Sequence, residues 1–438
     1  NVYDSLTEET GFIREFYAAL KSRSETGGIA RIFITGVSPL LLDDLYTGFN
    51  ISRNITTDPS FHALVGFTRA DVEHAVDELL RTQPELADDD RIGNRGMFLD
   101  TLERYYNGYR FSVEVKDRIF NSDMVLYFLS QLQSKRQYPS QMLDPNARTD
   151  YKKFYGLFES SGQPMEERRE VLTTVLTEGG VSGRLIETFG LTPRPAARDQ
   201  FISLLFYTGL LTAGTEPQTE QRMRFEIPNQ VIRELQWEHF SAMLEQVDSL
   251  DMRLPAIVSG QRQMAGDGTI KPFLEAIHEH VMRILGLKDM RNFSEKNMKM
   301  ILVTSAILSS IFHALSEKEV AQGFCDLFLV PRADNFTAKY SWLIELKYLS
   351  AKATEAKIEE AFQKAEAQLA KYASDPVLVP ILTKCHTMKS VAVVFVGTKE
   401  IRCRPWPKGS GEAFVVPKRK VAAKSGATKK AATKKRGR

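Results

Sequence analysis

An aspartate and a Glu-x-Lys tripeptide, each set inside an apolar run, are the residues of this chain best suited to chemistry. The runs are Gly323-Phe324-Cys325-Asp326-Leu327-Phe328-Leu329-Val330 and Trp342-Leu343-Ile344-Glu345-Leu346-Lys347-Tyr348. Side chains alternate along a strand, so Glu345 and Lys347 share one face about 7 Å apart, while Ile344, Leu346 and Tyr348 point the other way into apolar packing. Asp326 without a partner would be costly in so apolar a strand. A hairpin around residues 331–339 brings Asp326 towards Glu345. Two carboxylates at close range repel unless a cation lies between them, and hard oxygen donors suit Mg²⁺ or Mn²⁺. Lys347 would then hold or polarise a water near a scissile phosphate. The plainer alternative is a pair of solvated charges on an edge strand.

The elements that must position these residues are legible around them. A helix is predicted from Thr354 to Ala373. Its Ala361, Ala365, Gln368 and Tyr372 form one i, i+3/i+4 row that sets a lone amide beside small residues near the sheet. A strand follows at Val391–Val396. Upstream, helical patterns run from Lys271 to Leu287 and from Ser294 to Leu315, then strands near Glu317–Val330 and at Tyr340–Leu349. Residues 271–405 therefore read as one mixed α/β domain. A less regular segment, about Leu254 to Gly268, precedes it.

Gly-x-x-Asp, Ile-Glu-Leu-Lys, Gln-Leu-Ala-Lys-Tyr and the strand Val391-Ala392-Val393-Val394-Phe395-Val396-Gly397 together resemble the PD-(D/E)XK nuclease fold. The likeness is closest to the nuclease domain at the C-terminus of bacterial AAA-ATPase-like proteins. That resemblance implies a restriction-endonuclease-like α/β domain with Asp326 and Glu345 as metal ligands, Lys347 as the catalytic lysine and Gln368 as the accessory residue of the helix. Glu295 falls where the first core helix of the family often carries an acid. Its alternative is a role in capping the Ser294 segment, and Glu317 is a more distant candidate. Phe324-Cys325 stands where family members often have Gly-Arg-x-Asp, so a backbone-contacting arginine is missing.

The first half resembles the AAA-ATPase-like region of the same family, through Arg31-Ile32-Phe33-Ile34-Thr35-Gly36-Val37-Ser38-Pro39, Gly48-Phe49-Asn50-Ile51, Gly66-Phe67-Thr68, Tyr106-Asn107-Gly108-Tyr109-Arg110-Phe111 and Leu204-Leu205-Phe206-Tyr207. Ala30–Gly36 reads as a buried parallel strand. Thr35 at its end is placed as a nucleotide-sensing residue, or simply as a threonine closing a strand. No Gly-x-x-x-x-Gly-Lys-[Ser/Thr] occurs, and glycine is nowhere followed by lysine, so the phosphate cradle is missing. Residues 1–68 are accordingly a P-loop ATPase remnant, and ATP would bind only to a longer form. Residues 69–250 form a helical region with a winged-helix-like end, in which Phe201–Leu210 runs into a small hairpin and Asn229 caps the next helix.

The chain has 438 residues, 43% of them hydrophobic and 26% charged, a composition that excludes disordered, collagen-like and disulfide-stapled classes. Three cysteines in no zinc-like spacing point to a reducing interior, and the resemblance implies a cytoplasmic location of bacterial type. The apolar stretch Met300–Leu315 is shorter than the ~20 residues of a membrane span, which predicts a soluble protein with no membrane partner. The sequence opens on Asn1 without a secretory leader and reads as part of a longer product. Its net charge of +3 divides unevenly, with ten Lys/Arg and no acid over residues 418–438 and a net −7 elsewhere. Residues 417–438 are predicted to be a disordered basic tail, a sequence-independent phosphate binder or a solubilising extension, also compatible with nuclear import in a eukaryotic host. The function expected is metal-dependent hydrolysis of nucleic acid, DNA foremost. The alternative is a non-catalytic module that binds nucleic acid or protein.

Overall fold

The structure, a computed structural model, describes residues 12–35, 53–137, 139, 141–151, 165–186, 197–215, 222–248, 255–282, 301–302, 305, 311–315, 327–331, 338–374 and 386–417. It opens on helix α1 (Phe12–Glu25), close to the helix expected from Thr10. The strand expected at Ala30–Gly36 is not formed over residues 30–35, and Gly36 lies outside the described residues. Residues 31–35 carry no regular structure, and Phe33 is 66% exposed. A strand needs a neighbour for its N–H and C=O groups, and no strand among the described residues pairs with this run. Thr35 is exposed at its end.

Helices then follow as the periodicity predicts. Helix α2 (Arg69–Thr82) starts at a reciprocal cap between Thr68 and Asp71 and buries Val72, Val76 and Leu79 on one stripe. Helix α3 (Arg95–Tyr106) buries Phe98, Leu102 and Tyr106. Helix α4 (Ser122–Lys135) is capped by Asn121, whose side chain accepts from the Met124 N–H. Next come α5 (Met165–Glu178), β1 (Gly180–Gly183), α6 (Ala197–Tyr207), β2 (Thr212–Ala213), β3 (Met223–Glu226) and α7 (Gln230–Asp248). The three strands form an antiparallel sheet in the order β1-β3-β2. The hairpin after α6 is as expected, and Asn229 caps α7 by accepting from the Ile232 N–H.

The same asparagine explains a motif. Its Nδ2 donates to the Asn107 carbonyl at 3.0 Å. Gly108, next in sequence, sits at φ +103°, where a Cβ would lie 1.9 Å from the Pro228 carbonyl oxygen. The Arg110 N–H then donates to the Thr212 hydroxyl, and the Arg110 carbonyl accepts from that hydroxyl and from the Ala213 N–H. Tyr106–Phe111 is therefore the joint between the helical layer and the small sheet.

The C-terminal part starts earlier than its strand pattern suggested. Residues expected to be irregular form helix α8 (Pro255–Asp267), followed by α9 (Lys271–Ile277), which continues as a π-type turn to Met282. Gly260 obscured that helix in the sequence. It serves close packing, since a Cβ there would lie 2.6 Å from the Phe273 backbone. The expected helix to Leu315 is also corrected. Phe312–Leu315 is strand β4, paired antiparallel with β5 (Leu327–Pro331). A short buried apolar run suits either conformation, and the partner strand decides between them.

Strand β6 (Tyr340–Leu349) has the bounds expected. Helix α10 (Glu355–Tyr372) is capped by Thr354, and β7 (Thr387–Val396) follows it. Two strands not anticipated, β8 (Glu400–Trp406) and β9 (Phe414–Pro417), complete a sheet of order β4-β5-β6-β7-β8-β9. Among the described strands only β6 and β7 pair in parallel, and α10 is the crossover such a pair requires. On one face Leu327, Trp342, Ile344, Leu346, Val393 and Phe395 join the core of the helical half. There the Trp342 indole donates to the Met264 carbonyl of α8, at 3.0 Å. On the other face Phe328, Leu343, Ala392 and Val394 pack under Ile358, Ala361, Phe362, Ala365 and Leu369 of α10. Among the described residues no helix is long and apolar enough to cross a membrane.

Candidate active site

Glu345 and Lys347 lie on β6, an interior strand flanked by β5 and β7. The edge-strand alternative therefore does not hold. Odd-numbered β6 residues face α10, because Leu343 packs with that helix while Ile344 and Leu346 pack with the opposite core. The Glu345 side chain is 1% exposed and that of Lys347 18%, and Lys347 Nζ stands 2.7 Å from Glu345 Oε1. A carboxylate so deeply buried stays charged only beside compensating charge or hydrogen bonds. Lys347 supplies that compensation and still reaches towards solvent.

The floor beside this pair is small. Glu345 is level with Ala392 on β7, and Ala392 with Arg404 on β8; Lys347 is level with Val394, and Val394 with Arg402. Both arginines are tied to α10. Arg402 bonds Glu355 at 2.6 and 2.8 Å and pairs with Glu400. Arg404 bonds Glu359 and Glu366 and lies 4.1 Å over the Phe362 ring. The hydrogen bonds from these arginines hold the Glu355 and Glu359 carboxyls below their ordinary range and raise both guanidinium pKa values. On the opposite flank of the helix, Tyr372 meets Phe328 of β5 edge-on at 6.1 Å. Gln368 is half-buried and shares its row with Ala361 and Tyr372, so it lies on the flank towards β5 and β6.

Asp326 and Glu295 lie outside the described residues, as do the tail from residue 418 and Glu317. Asp326 immediately precedes Leu327, whose partner on β6 is Ile344, the neighbour of Glu345. Among the described residues no three metal-ligating side chains stand together. Thr35 is not brought to this site by any described contact. The arginine clamp on α10 was missed in the sequence, although Ile401-Arg402-Cys403-Arg404 alternates as a half-buried strand does and could have revealed it.

Residues 293–405 match the family model described as the PD-(D/E)XK nuclease superfamily. This stretch is a PD-(D/E)XK nuclease superfamily domain. The match spans β4 to most of β8 and includes Glu345, Lys347 and Gln368. No curated protein and no solved structure matches the chain. Nothing in these comparisons supports the AAA-ATPase-like portion or the P-loop remnant expected over the first half. The mixed sheet with its α10 crossover is consistent with a restriction-endonuclease-like fold.

Proposed function

We propose that the nuclease-superfamily domain hydrolyses nucleic-acid phosphodiester bonds at Glu345 and Lys347. The supporting observation is a carboxylate 1% exposed on an interior strand, held 2.7 Å from a lysine on the same face, within a stretch that matches a nuclease family. Glu345 offers the hard oxygen donor that Mg²⁺ or Mn²⁺ takes. A second donor would come from Asp326, with Glu295 as a further candidate. When bound, such an ion supplies positive charge against the phosphate oxygens. Lys347, whose side chain is 18% exposed, orients the attacking water and holds it near the phosphorus, and Gln368 borders the same space from α10.

The test is incubation of the purified protein with linear and circular DNA, with and without Mg²⁺, beside the Glu345→Gln variant. Cutting that needs both the ion and Glu345 is the outcome expected. Retention of DNA without cutting, indifferent to the ion, would instead establish a binding module.

A further inference from the structure

We infer that the lysines of α10 on the flank beside the site, Lys357, Lys364 and Lys371, form a track for the phosphodiester backbone of the nucleic-acid substrate. This rests on the nuclease reading and adds the surface that would guide a strand to Glu345. The three residues recur every seven positions and are all exposed. A straight helix drifts only ~20° per heptad, so they stay within an arc of about 40°. At a rise of 1.5 Å per residue, Lys357 and Lys371 stand about 21 Å apart along the axis, roughly six phosphate intervals of one B-form strand.

The side of the sheet that this stripe overlooks follows from two sets of contacts. Glu355, Glu359 and Glu366 reach Arg402 and Arg404, so their flank leans towards β8. Tyr372 touches Phe328 of β5, so the opposite flank leans towards β5 and β6. At 100° per residue, Gln368 and the lysines fall on that second flank, next to the face that carries Glu345 and Lys347. The helix is thus divided lengthwise, with its acids paired on one side and its bases displayed on the other. One acid, Glu360, enters the basic stripe and pairs with Lys364 at 2.7 Å. Among the described residues neither Lys357 nor Lys371 makes an ion pair. An exposed row of cations, of which Lys357 and Lys371 make no ion pair among the described residues although Glu360 also feels the Lys357 charge, is complementary to a polyanion.

The test measures binding of a labelled 30-base-pair DNA duplex to the full chain in EDTA, where cutting does not interfere, as a function of salt. Each lost phosphate contact lowers the slope of log K against log salt by about 0.9. Lys357→Gln with Lys371→Gln should therefore reduce the slope by about 2. Lys399→Gln with Lys408→Gln, exposed on the β8 side, should leave it unchanged. An unaltered slope in the first pair, or an equal fall in the second, overturns the track. If the wild-type chain binds but never cuts with Mg²⁺, the nuclease reading fails whatever the slopes show.

Discussion

Two buried glutamates, one in each sheet, sit on interior strands two residues from a basic partner, and their surroundings make them different objects. Glu226 on β3 stands within 4.0 Å of Arg224 Nε and 3.5 Å of Arg118 Nη2. Backbone closes around it. A Cβ on Gly214 would lie 2.6 Å from its Oε1, and one on Gly180 would lie 3.3 Å from its Cγ. Arginine does not give up its proton in proteins, and two guanidinium groups stand against this carboxylate. Among the described residues Glu345 pairs with a lysine, on a strand whose neighbour β7 places Ala392 at the same level. Lysine is a compact, mobile donor that can serve a reaction. Reading Arg-x-Glu and Glu-x-Lys as equivalent strand patterns would miss this contrast, which lies in what covers the charge.

Activity should separate the two glutamates most strongly. Glu345→Gln and Lys347→Gln should each reduce DNA cleavage about 100- to 1000-fold, the cost typical of losing one charge-stabilising group. Thermal melting should show both variants folded. Glu226→Gln should leave cleavage by the folded fraction intact. If Glu226→Gln abolished cleavage and Glu345→Gln did not, the roles assigned to the two glutamates would be reversed.

A second contrast separates the halves by their response to acid. Burial, with Arg168 nearby, pushes the His239 imidazole of α7 down from 6.5 to about 4. The unfolded chain therefore binds a proton below pH 6.5 that the folded chain refuses until about pH 4, and stability falls across that window. The shift corresponds to about 3 kcal/mol lost between pH 7 and pH 4. Urea titrations over that range should show the loss, and His239→Gln should flatten it. A third effect sharpens the glutamate pair itself. Replacing Glu226 by Ala removes the carboxylate that faces Arg118 and Arg224, which keep their bonds to the Gly108 and Glu178 carbonyls, and should cost about 1–3 kcal/mol, read from the urea midpoint.

The smallest effect belongs to the α10 clamp. The Glu355 and Glu359 carboxyls are held below their ordinary value of 4.5. Their contribution is complete above that pH and disappears as pH falls through the lowered values. Both acids are exposed, so solvent weakens the pairs. Melting temperatures from pH 6 to pH 3 should fall less steeply for the Arg402→Gln, Arg404→Gln double variant than for the wild type.

Much of the C-terminal domain was legible because its signals are local. Thr354 announces the start of α10, an apolar run around Glu345 and Lys347 marks β6, and those two residues share a face by strand periodicity alone. What the sequence did not disclose depends on partners distant along the chain. Phe312–Leu315 becomes a strand because β5 lies beside it, and residues 30–35 do not become one where no described strand pairs with them. Gly260 looked like a breaker and is a packing contact. The depth of Glu345 could not be read from its neighbours in sequence, since burial comes from β7 and α10 together.

The hydrogen bond from Trp342 to Met264, with that from the Lys339 N–H to the Ala265 carbonyl at 2.7 Å, bears on how the protein can be cut into pieces. A recombinant fragment beginning at residue 293, where the family match starts, would strip α8 from the sheet and present the indole, Ile344 and Leu346 to water. Such a fragment should precipitate on expression, whereas one that retains the helix beginning at Pro255 keeps its apolar underside sealed.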